Sequence, residues 1–120
     1  MLHKAGTVKE LERIVEKFPS LPKEVCLEAL RLVKILDATY GADRDVDADD
    51  GGFVLLAENM EDLRLIRQRH VGLDGKRHEA VSVIKSGDKP YINAFFLCNN
   101  EFGINVLMPR EIAPPDLSEG

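Results

Sequence analysis

The chain has 120 residues, of which 44% are hydrophobic and 31% are charged, and its formal net charge is −5. This composition is typical of a globular domain and argues against intrinsic disorder or a fibrous repeat, and two cysteines are too few for a disulfide framework. No apolar run approaches the roughly 20 residues of a membrane span, and the first residues lack the apolar core of a secretion signal. We therefore expect one soluble cytoplasmic domain over residues 1–120, with no membrane contact.

Two helices are predicted in the first third of the chain. Thr7 and Glu10 form a capping-box pattern, in which each side chain accepts a hydrogen bond from an otherwise unpaired backbone N–H group. The residues that follow place apolar side chains at helical spacing, namely Leu11, Ile14, Val15 and Phe18. Pro19 ends this helix, and a second is predicted over residues 22–40 with Gly41 as its C-cap. Because the second helix is apolar over most of its circumference, we expect it to be central, packed on more than one side and lying across a sheet.

The middle of the chain predicts a strand followed by a third helix. Residues 53–57 form a short apolar run that suits a buried strand. Asn59 is a favourable N-cap for a helix over residues 60–70, with Leu63 and Ile66 facing inward. The strand can then lie parallel to a neighbour reached through this helix.

The last third of the chain predicts three strands joined as an antiparallel meander, over residues 80–85, 91–98 and 102–108. Three prolines after residue 108 predict a weakly ordered tail over residues 109–120. The predicted element order is α-α-β-α-β-β-β. This order indicates an α+β fold with a mixed, mainly antiparallel sheet of about four strands, packed against the long central helix.

The most distinctive charged feature is residues 43–50, which we call the acidic segment. It holds five aspartates and one arginine, so its net charge is −4 and the rest of the chain is nearly neutral; the aspartates are Asp43, Asp45, Asp47, Asp49 and Asp50. Clustered negative charge attracts a basic protein and accelerates the encounter by electrostatic steering. These five aspartates are therefore the predicted partner-binding residues. The simpler alternative is a solvated loop, or one that pairs with the chain's own basic residues.

The acidic segment also partly matches a calcium-binding loop. If Asp47 takes position 1 of a twelve-residue loop, Gly52 falls at position 6 and Glu58 at position 12, as such loops require. The match is incomplete, because position 5 is Gly51, which has no side-chain oxygen, and residues 53–57 predict a strand instead of the exiting helix. A calcium or magnesium site here would use Asp45, Asp47, Asp49 and Glu58.

Nucleic-acid binding and catalysis have weaker support. Residues 64–78 are rich in arginine, lysine and histidine, but a pI near 5.2 and the absence of tryptophan and of any recognition motif argue against a nucleic-acid partner. No nucleophile elbow, phosphate-binding loop or zinc-peptidase motif is present. The three histidines, His3, His70 and His78, have no local metal-ligand spacing. A further alternative is a small hydrolase whose catalytic residues are distant in the sequence and meet only in the folded protein.

The run ATYGADRDVDADDGGFVL (residues 38–55), together with NNEFGI (residues 99–104), resembles short hypothetical proteins of bacteria that have no assigned activity. This resemblance implies a bacterial, cytoplasmic origin. It implies neither a mechanism nor any site residue.

These observations favour a non-enzymatic protein-interaction module, of an accessory or inhibitor type, that uses the acidic segment to bind a basic partner. No cofactor is expected apart from calcium or magnesium. The alternatives are a divalent-metal-binding protein that uses residues 43–58, and the small hydrolase with a composite site.

Overall fold

The computed structural model describes residues 3–41, 53–69, 78–85, 89–98, 102–113 and 118–119. The acidic segment lies outside these ranges, as do residues 70–77 of the basic stretch. The statements that follow concern the described residues.

The described residues form three α-helices and a mixed sheet, so the predicted α+β class is confirmed. The helices are α1 (Val8–Lys17), α2 (Lys23–Tyr40) and α3 (Met60–Arg69). The five longer strands are β1 (His3–Ala5), β2 (Val54–Leu56), β3 (His78–Ile84), β4 (Tyr91–Cys98) and β5 (Phe102–Pro109). A 3₁₀ turn (Arg110–Ile112) and a two-residue strand, β6 (Ser118–Glu119), follow. None of the helices in the described ranges is long and apolar enough to cross a membrane.

The strands lie in the order β1-β2-β5-β4-β3-β6. β3, β4 and β5 form the predicted antiparallel meander, while β2 runs parallel to β5, with Leu55 opposite Val106. The predicted sheet of about four strands and the predicted element order are wrong in detail, because β1 and β6 were missed. Each is only two or three residues long, too short to carry a periodic pattern, and each exists through pairing with a distant strand.

Short-range hydrogen bonds define the starts of α1 and α3 and the end of α2. The Thr7 hydroxyl accepts from the backbone N–H of Glu10 at 3.2 Å, and the Glu10 carboxylate accepts from Gly6 at 3.1 Å. Asn59 caps α3 by accepting from the backbone N–H of Asp62 at 2.9 Å. Gly41 ends α2 with φ of +93°, a conformation that favours glycine, and donates to the Asp37 carbonyl at 2.9 Å.

Helices cover both faces of the sheet, so that the chain has three layers. Side chains that alternate along a strand point to opposite faces. Val54 and Leu56 of β2 pack with α1 and α2, whereas Phe53, Leu55 and Ala57 pack on the other side with α3. The α3 side also receives alternate residues of β4 and β5, namely Ile92, Ala94, Ile104, Val106 and Met108.

α2 is less enclosed than its sequence suggests. Val25, Ala29 and Val33 are fully buried against the sheet and α1, as expected for a central helix. Its remaining side is exposed, however, and carries Leu27 and Ile35, which are 55% and 50% exposed. A helix apolar around most of its circumference can be fully buried only if another layer covers its outer side, and α3 lies on the opposite face of the sheet.

The chain continues along the sheet after β5. The backbone N–H of Arg110 donates to the Pro90 carbonyl at 2.9 Å, and Ile112 is buried in the α3-side core. β6 then pairs in parallel with β3 through Glu79 and Ala80. The described parts of residues 109–120 therefore contact the body of the fold.

Candidate functional site

Most of the residues predicted to bind a partner or a metal lie outside the described ranges. These are Asp43, Asp45, Asp47, Asp49 and Asp50. Along the chain, the acidic segment lies between Gly41, the C-cap of α2, and Phe53, the residue before β2. Glu58, the fourth predicted metal ligand, is described and lies between β2 and α3.

The first candidate site is the exposed side of α2, which we call the α2 surface: Leu27, Arg31, Lys34, Ile35 and Ala38. Leu27 and Ile35 are eight residues apart, which corresponds to about 12 Å along a helix. Arg31 lies between them and pairs with Glu28 on the same helix. The α2 surface therefore has two large apolar side chains with the paired Arg31 between them, and it lies toward the end of α2 that precedes the acidic segment in the chain.

The second candidate site is a group of three polar side chains, His3, Glu58 and Asp62, which we call the His3 cluster. One imidazole nitrogen and one oxygen from each carboxylate all lie within 4.8 Å of one another. His3 and Asp62 are buried, with 6% and 4% of their surface exposed, and Glu58 is half-buried. The cluster is the group of histidine, cysteine and acidic side chains within the described ranges whose ligand atoms are close enough to hold a metal ion.

The fold brings the His3 cluster together through two neighbouring elements. β1 pairs antiparallel with β2, with His3 opposite Leu56, so that the start of the chain lies beside the end of β2. The chain then passes through Glu58 to the first turn of α3, where the Asp62 carboxylate accepts from the backbone N–H of Glu58 at 3.0 Å. This bond helps to cap α3, because it satisfies an N–H group near the helix start.

Burial governs the electrostatics of His3. The imidazole makes an edge-on contact with Phe18, with ring centroids 4.1 Å apart and planes at 65°. Burial lowers the pKa of His3 below its usual value, because the charged form loses hydration. The carboxylates of Asp62 and Glu58 oppose that shift, and the positive charges of Lys17 and the chain terminus add to it. The imidazole is therefore mostly neutral at neutral pH, with one nitrogen able to accept or to coordinate.

The His3 cluster was not visible in the sequence as a unit. His3 has no ligand-type neighbour at short spacing, and it meets residues that are more than 50 positions away. Glu58 is a predicted metal ligand for a different reason, its place at position 12 of the partial calcium-loop match. Asp62 is the third residue after the N-cap Asn59, and this spacing predicts a role in helix capping. The spacing does not predict a role as a metal ligand.

A pair of asparagines interrupts the core on the α1–α2 side of the sheet. Asn105 donates from its side-chain amide to the Asn93 oxygen at 2.9 Å. Asn93 is fully buried, and among the described residues its own amide nitrogen has no hydrogen-bond partner. Such a donor costs about 1–3 kcal/mol when it stays unpaired.

Cys26 and Arg64 are weak candidates for a functional site. Cys26 is half-buried and unpaired, and burial raises the pKa of its thiol, which reduces the thiolate fraction at neutral pH. Arg64, in the basic stretch, forms an exposed ion pair with Glu61 one turn earlier on α3. These contacts give neither residue a catalytic or phosphate-binding role.

Comparisons of this chain with models of protein families, with curated proteins and with solved structures found no match.

Proposed function

We propose that this protein is a non-enzymatic interaction module that binds a basic protein partner through the α2 surface and the acidic segment. One observation carries the proposal: Leu27 and Ile35 are half exposed on the solvent side of a helix whose other sides are packed. Single exposed apolar residues are common and need no explanation. Two large ones within three turns of one helix supply the apolar centre that a protein interface needs.

The charge of the acidic segment supports a basic partner. Its net charge of −4 starts three residues after the last helical residue of α2. A protein that places apolar side chains on the α2 surface could therefore set lysines or arginines against these aspartates. Such charge pairs would chiefly raise the association rate and the specificity, while the apolar contacts hold the complex together.

A protein partner is preferred to a nucleic acid. The net charge of −5 repels phosphates, and the exposed Arg64 is already paired with Glu61. The resemblance to bacterial proteins directs the search to cytoplasmic proteins of bacteria. The unpaired Cys26 fits a reducing compartment.

Site-directed photo-crosslinking in cells tests this proposal. A photo-reactive amino acid replaces Leu27 in the full chain, and in the control it replaces Glu12, which is exposed on α1. We expect one basic protein to be captured from position 27 and not from position 12. The purified partner is then titrated calorimetrically against the wild type, the double variant Leu27→Asp/Ile35→Asp, and a variant with Asp45, Asp47, Asp49 and Asp50 changed to Asn.

Both variants should fold and should bind the purified partner at least about tenfold more weakly than the wild type. The charge variant should also lose most of the salt dependence of the association rate. Capture of the same proteins from both crosslinking positions would contradict the α2 surface. Unchanged affinity of both variants for the purified partner would contradict the whole proposal.

A further inference from the structure

We propose that the His3 cluster is a binding site for a divalent transition-metal ion of the Zn²⁺ type. The inference is independent of the interaction proposed above. It rests on three donors of the right chemistry, held close together by separate parts of the fold.

The donor set selects the class of metal. An imidazole nitrogen suits zinc and its neighbours in the first transition row, whereas calcium and magnesium sites use oxygen ligands. Two carboxylates with a neutral imidazole would balance the charge of a divalent cation. The calcium or magnesium expected from residues 43–58 therefore differs from the ion that suits the His3 cluster, although both would use Glu58.

The three donor atoms lie close enough together that a small movement of one side chain would bring them to the separations of a zinc site. Zinc bonds to nitrogen and to carboxylate oxygen are about 2.0–2.2 Å long, so tetrahedral ligand atoms lie roughly 3.4 Å apart. The donors of the His3 cluster lie within 4.8 Å of one another. The longest separation must therefore shorten by roughly 1.4 Å at most. Glu58 is the half-buried member and can move by changing rotamer, while the two buried members stay in place.

The two buried donors are already oriented by other contacts. The Asp62 carboxylate is held by the backbone N–H of Glu58, and the His3 ring is held by its edge-on contact with Phe18. A carboxylate oxygen has enough lone pairs to accept a hydrogen bond and to bind a metal at the same time. Metal sites typically have such supporting contacts, because they fix ligand orientation before the ion arrives.

Metal binding would also tie the start of the chain to the body of the fold. β1 is a three-residue edge strand whose pairing partner is β2, and His3 is its first residue. An ion shared by His3, Glu58 and Asp62 would join β1 to the first turn of α3. Three protein ligands leave at least one coordination position for water or a small anionic ligand.

Zinc titration of the full chain tests the site. The protein is freed of metal with a chelator, and ZnCl₂ alone is added in competition with a chromophoric zinc indicator. We expect one ion per chain and a higher melting temperature, because a ligand that binds only the folded state stabilises it. In NMR spectra of the imidazole groups, the His3 signals should shift on zinc addition, and those of His70 and His78 should not.

Two variants remove donors, and two serve as matched controls. Glu58→Gln and His3→Gln should each weaken zinc binding by at least about 100-fold, since even supporting residues of metal sites cost 10–100-fold. Glu61→Gln removes an exposed carboxylate from the same turn of α3 and should leave the affinity unchanged. The triple variant with Asp45, Asp47 and Asp49 changed to Asn separates the His3 cluster from the acidic segment and should also bind normally.

If His3→Gln does not fold, Glu58→Gln decides the matter, because its side chain is only half-buried. If the wild type binds no zinc at about 100 µM free metal, its dissociation constant is too high for a specific site. That result would overturn the proposal. So would a Glu58→Gln variant with wild-type affinity. Loss of binding only in the triple aspartate variant would place the metal in the acidic segment and would equally overturn it.

Discussion

α2 and α3 cover opposite faces of the same sheet but differ in how well their apolar residues are covered. α2 is the longer and more apolar helix, yet it exposes Leu27 and Ile35. α3 is mainly polar, yet its inward residues Leu63 and Ile66 are both buried, and of its large apolar side chains Met60 is strongly exposed at the first position. The apolar content of a helix therefore predicts that it packs, but not how much of its surface is covered.

The two faces of the sheet also differ in their polar contents. On the α3 side Lys4 lies opposite Leu55 with its ammonium 4.8 Å from the centroid of the Phe53 ring, whereas the α1–α2 side includes the Asn93–Asn105 pair. The largest apolar residues of α2 that remain uncovered lie on the same side of the molecule. The unpaired amide of Asn93 and the exposed Leu27 and Ile35 therefore lie on the same side of the molecule.

The largest expected effect comes from a matched pair of isoleucines. Ile66 of α3 is fully buried and Ile35 of α2 is half exposed. We expect Ile66→Ala to lower the free energy of unfolding by about 3 kcal/mol, because the change removes buried methyl groups and leaves a cavity. Ile35→Ala should change it by less than about 0.5 kcal/mol. Urea denaturation with a common m-value measures both. Similar losses for the two variants would mean that the outer side of α2 is covered in solution.

A smaller effect of opposite sign is expected at the buried asparagine pair. Asn93→Leu removes the unpaired amide while keeping a side chain of similar size, at the cost of one hydrogen bond to Asn105. We expect the free energy of unfolding to rise by about 1 kcal/mol, because the fully buried unpaired donor is removed, whereas the Asn105 amide that loses its partner is only half-buried and can reach water. Asn93→Asp, which buries a charge, should destabilise instead. A loss of stability in Asn93→Leu would show that the amide has a partner in solution.

The smallest effect on the free energy of unfolding is expected at Tyr91, which is buried on the α1–α2 side. This effect should appear only at alkaline pH. Burial raises the pKa of Tyr91 above its usual value near 10, with Lys89 opposing the shift and the carboxylates of Glu58 and Glu111 adding to it. Above pH 10 the unfolded chain releases the phenolic proton while the folded chain keeps it, so rising pH favours unfolding.

Tyr91→Phe should therefore lose less stability than the wild type between pH 9 and about pH 11, with little difference at pH 7. Thermal melts across this range measure the difference. Tyr40→Phe is the control, because it removes the chain's other tyrosine. Parallel stability–pH curves for wild type and Tyr91→Phe would mean that Tyr91 ionises equally in both states.

Much of the fold could be predicted from the sequence because its signals are local. The capping box at Thr7, the N-cap at Asn59 and the C-cap at Gly41 each depend on residues within four positions, and all three were confirmed. The meander was predictable for the same reason, since turn residues join strands that are neighbours in the chain. The parallel pairing of β2 with β5 was less accessible, because it joins segments about 50 residues apart.

The candidate sites also differ in whether their signals are local in the sequence. The acidic segment is visible in the sequence because charge is a property of consecutive residues, and its partner-binding and metal-binding roles stay predictions. The exposed side of α2 could not be predicted, because its apolar pattern is equally typical of a helix covered on all sides.

The sequence by itself determined the main helix boundaries and the strands of the meander, since both depend on contacts between near neighbours in the chain. It also determined where the negative charge lies, because charge is a property of consecutive residues. Only the tertiary structure decided that β1 pairs with β2, that α3 takes the face opposite α2, and that His3 meets Glu58 and Asp62. Those outcomes depend on which distant surfaces bury each other. A short strand or a single histidine carries no local pattern that specifies its partner.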